Sequence, residues 1–268
     1  MQTGNYTTQS DTQGQEAVNI ICIKWGKRYS ATYVNKLYAG VTKHLNRSFI
    51  FHCCTDDPSE VHSGVRIIPF PENPGIKSRW PHVLVKLMTT QDGFGGLSGP
   101  TLFLDLDVVI TGNIDCLFDY KIGENCIIHN WTNWRKRLLG NVPDVGNSSV
   151  FRFEAGPKSD YIYQTFLKEM SRAEDTSIFN TEQAFLTYAM KQVNWWPDAW
   201  VKSYKWNCRP VYPLNLLKTP KLPDDCRILV FHGKPDPDEA IQGFKGKRPH
   251  HQMLAAEWIL EHWNEPEH

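Results

Sequence analysis

The stretch Thr101–Tyr120, TLFLDLDVVITGNIDCLFDY, constrains this chain more than any other. Its first ten residues are mostly apolar, include β-branched Val108, Val109 and Ile110, and read as a buried strand. Two carboxylates, Asp105 and Asp107, interrupt the run one residue apart. Side chains alternate along a strand, so both point to one face while Leu104, Leu106 and Val108 point to the other. Burying two like charges side by side is costly unless a cation or strong donors offset them. The simplest such partner is a hard divalent metal at the C-terminal end of the strand. Gly112 and Asn113 then end the strand, and IDCLF reads as a short turn of helix.

The length of 268 residues allows one large α/β domain with an ample core. Lys+Arg and Asp+Glu are equal at 29 each, so no global attraction to nucleic acid or to an anionic membrane is encoded. Any anion site must be local. Seven cysteines are scattered without a CxxC pair, several in apolar runs such as IICI and FHCC, which suits reduced, buried thiols in a cytoplasmic protein. Residues 1–17 are polar and Gln/Thr-rich, reading as a disordered tail without a signal peptide, ahead of one domain over 18–268. With no 18 consecutive apolar residues, a membrane role would have to be peripheral. Ten tryptophans include Trp131 and Trp134 near Arg135 and Arg137, and the group Trp195, Trp196, Trp200 and Trp206. Aromatic-rich clefts bind the apolar faces of sugar rings, but each Trp taken singly is more simply core or surface packing.

Along the chain, Ala17–Lys24 reads as a first strand and Ser30–Leu45 as a helix with Tyr33, Leu37, Val41 and Leu45 on one face. Phe49–Thr55 and Val65–Phe70 are two more strands, and this order argues for a right-handed βαβ unit and a parallel sheet. The first strand-to-helix loop, WGKRYS, lies where such sheets bind nucleotides but is not a GxGxxG fingerprint. Lys27, Arg28 and Tyr29 suit a nucleotide base and phosphate, and equally a solvated basic loop. A helix over Lys77–Thr90, with Pro81 in its first turn, carries Lys86. The glycine-rich QDGFGGLSGP lacks a phosphate-loop pattern and reads as a connector. Further strands are expected over Glu124–His129, Asn147–Phe153 and Arg227–His232, and helices over Ser159–Arg172 and Asn180–Val193, the latter capped by Asn180 or Thr181 with Glu182 and Gln183 in its first turn. The small polar run Asp144–Ser148 suits close approach to a ligand. His250–Trp263 is amphipathic and reads as a closing helix.

Taken together, these pieces resemble the glycogenin-type retaining glycosyltransferases of family 8, which have the single-domain nucleotide-diphosphosugar (GT-A) fold. The resemblance is strongest from Lys86 through Phe118, where KLMTT precedes a DxD strand that runs on into N-I-D-x-L-F. It extends more weakly over residues 18–245 through NSSVF, the Glu-Gln helix start and His232-Gly233-Lys234-Pro235. It implies a Rossmann-like sheet, mostly parallel and flanked by helices. It further implies manganese or magnesium held by Asp105, Asp107 and His232, and a UDP-sugar whose diphosphate is neutralised by the metal with Lys86 and Lys234. Asp105 also touches the ribose in that scheme, with Gly233 and Tyr29 in the donor site. The positions that the resemblance sets around the sugar are Asp144, Asn147, Ser148, Glu182 and Gln183.

Two departures stand out. The family's H-x-x-G-x-x-K-P-W is compressed here to His232-Gly233-Lys234-Pro235 followed by Asp236, and its Asp-Gln pair is Glu182-Gln183. The implied reaction passes a sugar to a saccharide or other hydroxyl acceptor with retention, Gln183 or Glu182 stabilising the oxocarbenium-like centre. An inverting enzyme would need Asp144, Glu182 or Asp198 as base. The rival readings are a sugar-phosphate nucleotidyltransferase, whose first loop would be richer in glycine than Cys22–Tyr29, and a non-catalytic sugar-binding protein, which would not need the DLD. Acceptor contacts fall to the loops Trp131–Pro143 and Trp195–Trp206.

Overall fold

The apolar run before Trp25 becomes the middle of a sheet. In the computed structural model, which describes residues 16–71, 81–131, 144–175, 177–179 and 181–266, β1 (Val18–Lys24) pairs in parallel with β2 (Phe49–Thr55) on one side and β4 (Gly99–Leu104) on the other. Outside β2 lies β3 (Arg66–Pro69), also parallel. Past β4 come β7 (Gly146–Ala155), β6 (Cys126–His129) and β8 (Asn194–Trp195), completing a seven-stranded sheet in the order β3-β2-β1-β4-β7-β6-β8. Only β7 runs antiparallel to its neighbours. A second sheet joins β5 (Val108–Ile110), β10 (Ile228–Val230) and β9 (Val201–Ser203) in the order β5-β10-β9.

Alternation along the strands divides the core into two layers. Ile20, Cys22, Leu102 and Leu104 pack on one face against Val34, Leu37 and Val41 of α1 (Ala31–His44). Ile21, Phe103 and Phe151 pack on the other against α2 (Pro81–Met88), α4 (Asp160–Lys168) and α6 (Glu182–Ala189). The expected short helix after NID is α3 (Cys116–Asp119). All seven cysteines are free, and all but the half-buried Cys116 are buried. Among the described residues no helix is long and apolar enough to cross a membrane.

Three expectations change. The central strand is not continuous: β4 ends at Leu104, Asp105-Leu106-Asp107 turns a corner, and β5 continues in the second sheet. Backbone pairing is satisfied on both sides of the corner, since Asp105 N–H donates to Ser149 O (2.9 Å) and Phe231 N–H donates to Asp107 O (3.0 Å). The expected helix 159–172 divides at Glu169 into α4 and α5 (Met170–Ala173). The closing segment is not an α-helix either. Met253 exchanges backbone hydrogen bonds with Phe244, which removes the groups a helix would need, and only 3₁₀ turns form at Pro249–His251 and Glu257–Glu261. Its apolar positions Met253, Ala256, Ile259 and Trp263 are buried all the same. The tail up to residue 15, the start of the expected Lys77 helix and Asn180, Trp134, Arg135 and Arg137 lie outside the described residues.

Candidate active site

Because β1, β4 and β6 run in parallel, their carboxyl ends share one edge of the sheet, and antiparallel β7 begins at that same edge. Ligands of open α/β sheets bind at such an edge. Here it forms a cleft of ≈ 560 Å³ walled by the Trp25–Tyr29 loop, by Asp105 and Asp107 at the corner, and by Lys86, Glu182 and Gln183. The basic loop after β1 is therefore a wall of the cleft.

Lys86 organises one side. From α2, its ammonium meets both carboxylate oxygens of Asp105, at 2.7 Å and 2.9 Å, donates to Ser148 Oγ at 3.2 Å and lies 3.8 Å from Glu182 Oε1. Burial disfavours the charged amine, but Asp105 and Glu182 outweigh it and hold the Lys86 pKa above its usual value. The Glu182 carboxyl is pushed up by burial, with Lys86 and a short hydrogen bond from Ser148 Oγ opposing the shift. Ser148, at the start of β7, is fully buried and ties Lys86 to Glu182 from beneath the cleft. Glu182 and Gln183 open α6, whose N-cap is Thr181: its Oγ1 accepts from Ala184 N–H (3.3 Å).

On the other side of the corner Asp107 forms no ion pair among the described residues, and Lys86 and Arg28 act on it from farther off. Asp107 accepts a hydrogen bond from the Tyr29 phenol (3.0 Å), and burial together with the charge of Asp105 raises its pKa to about 7. Register carries His232 to this side, because β10 pairs antiparallel with β5 through Val230 and Val108. Its Nε2 is hydrogen-bonded with Ser203 Oγ (2.7 Å), and its ring stacks on Trp131 with centroids 5.6 Å apart. Burial and then Lys205 lower its pKa to about 4, so the imidazole is neutral, the form that ligates metals. Among the described residues no group of three or more His, Cys, Asp or Glu side chains is placed as a ready metal cluster. The chemistry of the donors nevertheless fits a cation: two adjacent carboxylates face one cleft, and one of them is driven toward protonation by burial and by the charge of the other.

No protein-family model and no curated protein sequence matches the chain. Solved structures do. The galactosyltransferase LgtC, in complex with donor and acceptor sugar analogues, superposes with a TM-score of 0.60 at 15% identity, covering 93% of this chain and 98% of LgtC. The fold is that of GT-A glycosyltransferases. An active-site variant of LgtC with glutamate in place of glutamine gives a TM-score of 0.60 at 14% identity, covering 91% and 94%. The bifunctional glycosyltransferase WbbM, without ligand, gives 0.57 at 13% identity over 82% of this chain; the chain spans 46% of WbbM.

Within this GT-A fold the remaining candidates are dispersed. Lys234 pairs with Asp236 (2.7 Å) and Glu239 (2.8 Å) at the start of α7 (Pro237–Gln242), and neither it nor Gly233 lines the cleft. Asn147 is buried, its Oδ1 accepting from Ser149 N–H (3.0 Å) where β7 bulges against β6, so it shapes the strand start. Asp144 lies 3.2 Å from His129 Nε2. Asp198 lines a second cavity of ≈ 280 Å³ with His129, Asn130, Trp131, Lys202 and Trp206. The two cavities meet where Asn130 Nδ2 donates to Gln183 Oε1 at 3.5 Å. Sequence reasoning missed Asn130 and Ser203. Asn130 had a signal, as it directly follows a strand that ends at the ligand edge; Ser203, 29 residues from His232 in sequence, had none.

Proposed function

We propose that this chain is a metal-dependent glycosyltransferase that moves a sugar from a UDP-sugar to a hydroxyl acceptor with retention, as in the glycogenin-like family it resembles. The observation that carries the reading is the corner itself: Asp105 and Asp107 on one cleft at the carboxyl edge of a GT-A sheet, with Lys86 against Asp105. Asp105 and Asp107 would hold manganese or magnesium, and His232 would join them by exchanging its Ser203 partner for the metal. When bound, the cation supplies Lewis-acid stabilisation of the departing diphosphate.

The chain's own residues account for the rest. Lys86 adds fixed positive charge at the same end of the cleft, and Lys27 and Arg28 in its wall suit the nucleotide's phosphates. Glu182 is occupied by Ser148 and Lys86, which leaves Gln183, steadied by Asn130, as the group facing the sugar. LgtC, whose active site contains a glutamine that has been replaced by glutamate, supports that choice by analogy. Retention needs the acceptor hydroxyl on the face the diphosphate leaves. The bond from the anomeric carbon to phosphate oxygen breaks, the new bond to the acceptor oxygen forms, and the released phosphate takes the hydroxyl proton. The adjoining cavity, with Trp131 and Trp206 for ring faces and Asn130 and Asp198 for hydroxyls, suits a saccharide acceptor.

The test is a panel of UDP-sugars assayed for hydrolysis and transfer with manganese or with a chelator. Release of UDP from one donor, abolished by the chelator, is expected. Turnover of a nucleoside triphosphate with a sugar phosphate instead would replace this reading with a nucleotidyltransferase.

A further inference from the structure

The informative exceptions to ordinary burial are a buried polar side chain and a contiguous run of exposed large apolar ones. The turn over residues 211–217 has both. Asn215 is 1% exposed, its Nδ2 donating to Pro249 O (3.0 Å) and Gln252 O (2.8 Å), whereas Val211, Tyr212, Leu214, Leu216 and Leu217 are exposed, Val211 by 74% and Leu217 by 78%. The backbone holds this arrangement. Asn215 N–H donates to Val211 O (3.2 Å) and Lys218 N–H to Leu214 O (2.8 Å), so the apolar side chains are fixed outward by an anchored turn. Apolar surface gathered in one place marks an interaction site.

Charge identifies the partner. The chain as a whole is balanced, but its cations are segregated. Between Asp198 and Asp224 there is no carboxylate, only Lys202, Lys205, Arg209, Lys218 and Lys221. Between Glu239 and Glu257 there are Lys245, Lys247 and Arg248, again with no carboxylate. The two Asn215 hydrogen bonds clamp these segments together. Their charges act on a common point: His251 is lowered by desolvation and by His250, Arg209, Arg248 and Lys205. A fixed aliphatic tip, with exposed Lys218 and Lys221 just after it and exposed Lys245, Lys247 and Arg248 in the segment leading into the Asn215 clamp, is the chemistry of an anionic bilayer surface, where cations meet lipid phosphates and aliphatic side chains enter the acyl boundary. A nucleic acid would use the cations but has no use for exposed Val and Leu.

We propose that the turn at residues 211–217, together with the exposed Lys218, Lys221, Lys245, Lys247 and Arg248, docks the protein peripherally on an anionic lipid bilayer. The experiment is flotation of the full chain with vesicles of phosphatidylcholine alone, or of phosphatidylcholine and phosphatidylglycerol in equal parts, at low and high salt. The chain should float with the anionic vesicles and not with the neutral ones, and less at high salt. The double variant Leu216→Ser/Leu217→Ser and the double variant Lys245→Glu/Lys247→Glu should each lower the partition about tenfold, with unchanged melting curves, because all four side chains are exposed. Absence of flotation by the wild-type chain overturns the proposal. So does a leucine variant that floats as well as wild type, since charge alone would then account for binding. Preferential binding of single-stranded RNA over the vesicles overturns it as well.

Discussion

Asp105 and Asp107 sit two residues apart on one corner, and their surroundings are opposite. Asp105 rests on the Lys86 ammonium, with both oxygens within 2.9 Å. Asp107 accepts from the neutral Tyr29 phenol, and burial with the charge of Asp105 outweighs Tyr29, Lys86 and Arg28 and raises its pKa to about 7. One carboxylate is paired with a lysine at contact distance, while the other feels Lys86 and Arg28 only from farther off. Local arrangements that cost stability cluster where function requires them. The difference between these neighbours therefore separates what the corner does for the fold from what it does for a ligand.

The largest expected effect is on activity. Asp107→Asn should lower manganese-dependent UDP release about 10³-fold in steady-state assays, and Asp105→Asn should do the same. Stability should divide the pair. Asp105→Asn takes the nearest counter-charge from buried Lys86, leaving Glu182 at 3.8 Å, and should destabilise by about 3 kcal/mol in denaturant titrations. Asp107→Asn, in metal-free protein at pH 8, should stabilise by about 2 kcal/mol, because it removes a buried charge and with it the repulsion from Asp105. Equal signs for the two substitutions would break the comparison.

The pH dependence sharpens it. The folded pKa of Asp107 lies above its ordinary 3.8, so between roughly pH 4 and 7 the folded chain binds a proton that the unfolded chain releases. Stability from this group is present at the acid end of that window and is lost as pH rises through about 7. The advantage of Asp107→Asn over wild type should accordingly grow from pH 4 to pH 7 and level off above, as followed by melting temperature. The smallest effect belongs to Tyr29→Phe. Removing one hydroxyl donor should change stability by about 1 kcal/mol and raise the Asp107 pKa further.

Much of the scaffold was legible because apolar runs with polar boundaries are unambiguous. Phe49–Thr55 is a strand with the expected ends, and the helix after Ser30 differs from expectation by one residue at each end. Alternation says which residues share a face but not where a strand changes sheets, so the corner at Asp105-Leu106-Asp107 was hidden inside what looked like one strand. Arg152 was hidden in a similar way. The one charged residue of NSSVFRF, it is 1% exposed and donates to the carbonyls of Leu117, Lys121 and Glu124, bracing α3 and the turn after it. At the site, residue types pointed to Lys86, Asp105, Asp107, Glu182 and Gln183, which share one cleft. Pairings such as Ser148 with Glu182 and Asn130 with Gln183 depend on the fold bringing together positions 34 and 53 residues apart.

Calorimetric titration of UDP into the wild-type chain and Asp107→Asn, with and without manganese, decides whether the corner holds a metal for a nucleotide. Binding by the wild-type chain only when manganese is present, and none by the folded variant in either condition, is the predicted result. Equal UDP affinity in the two proteins, or wild-type binding indifferent to the metal, would contradict it.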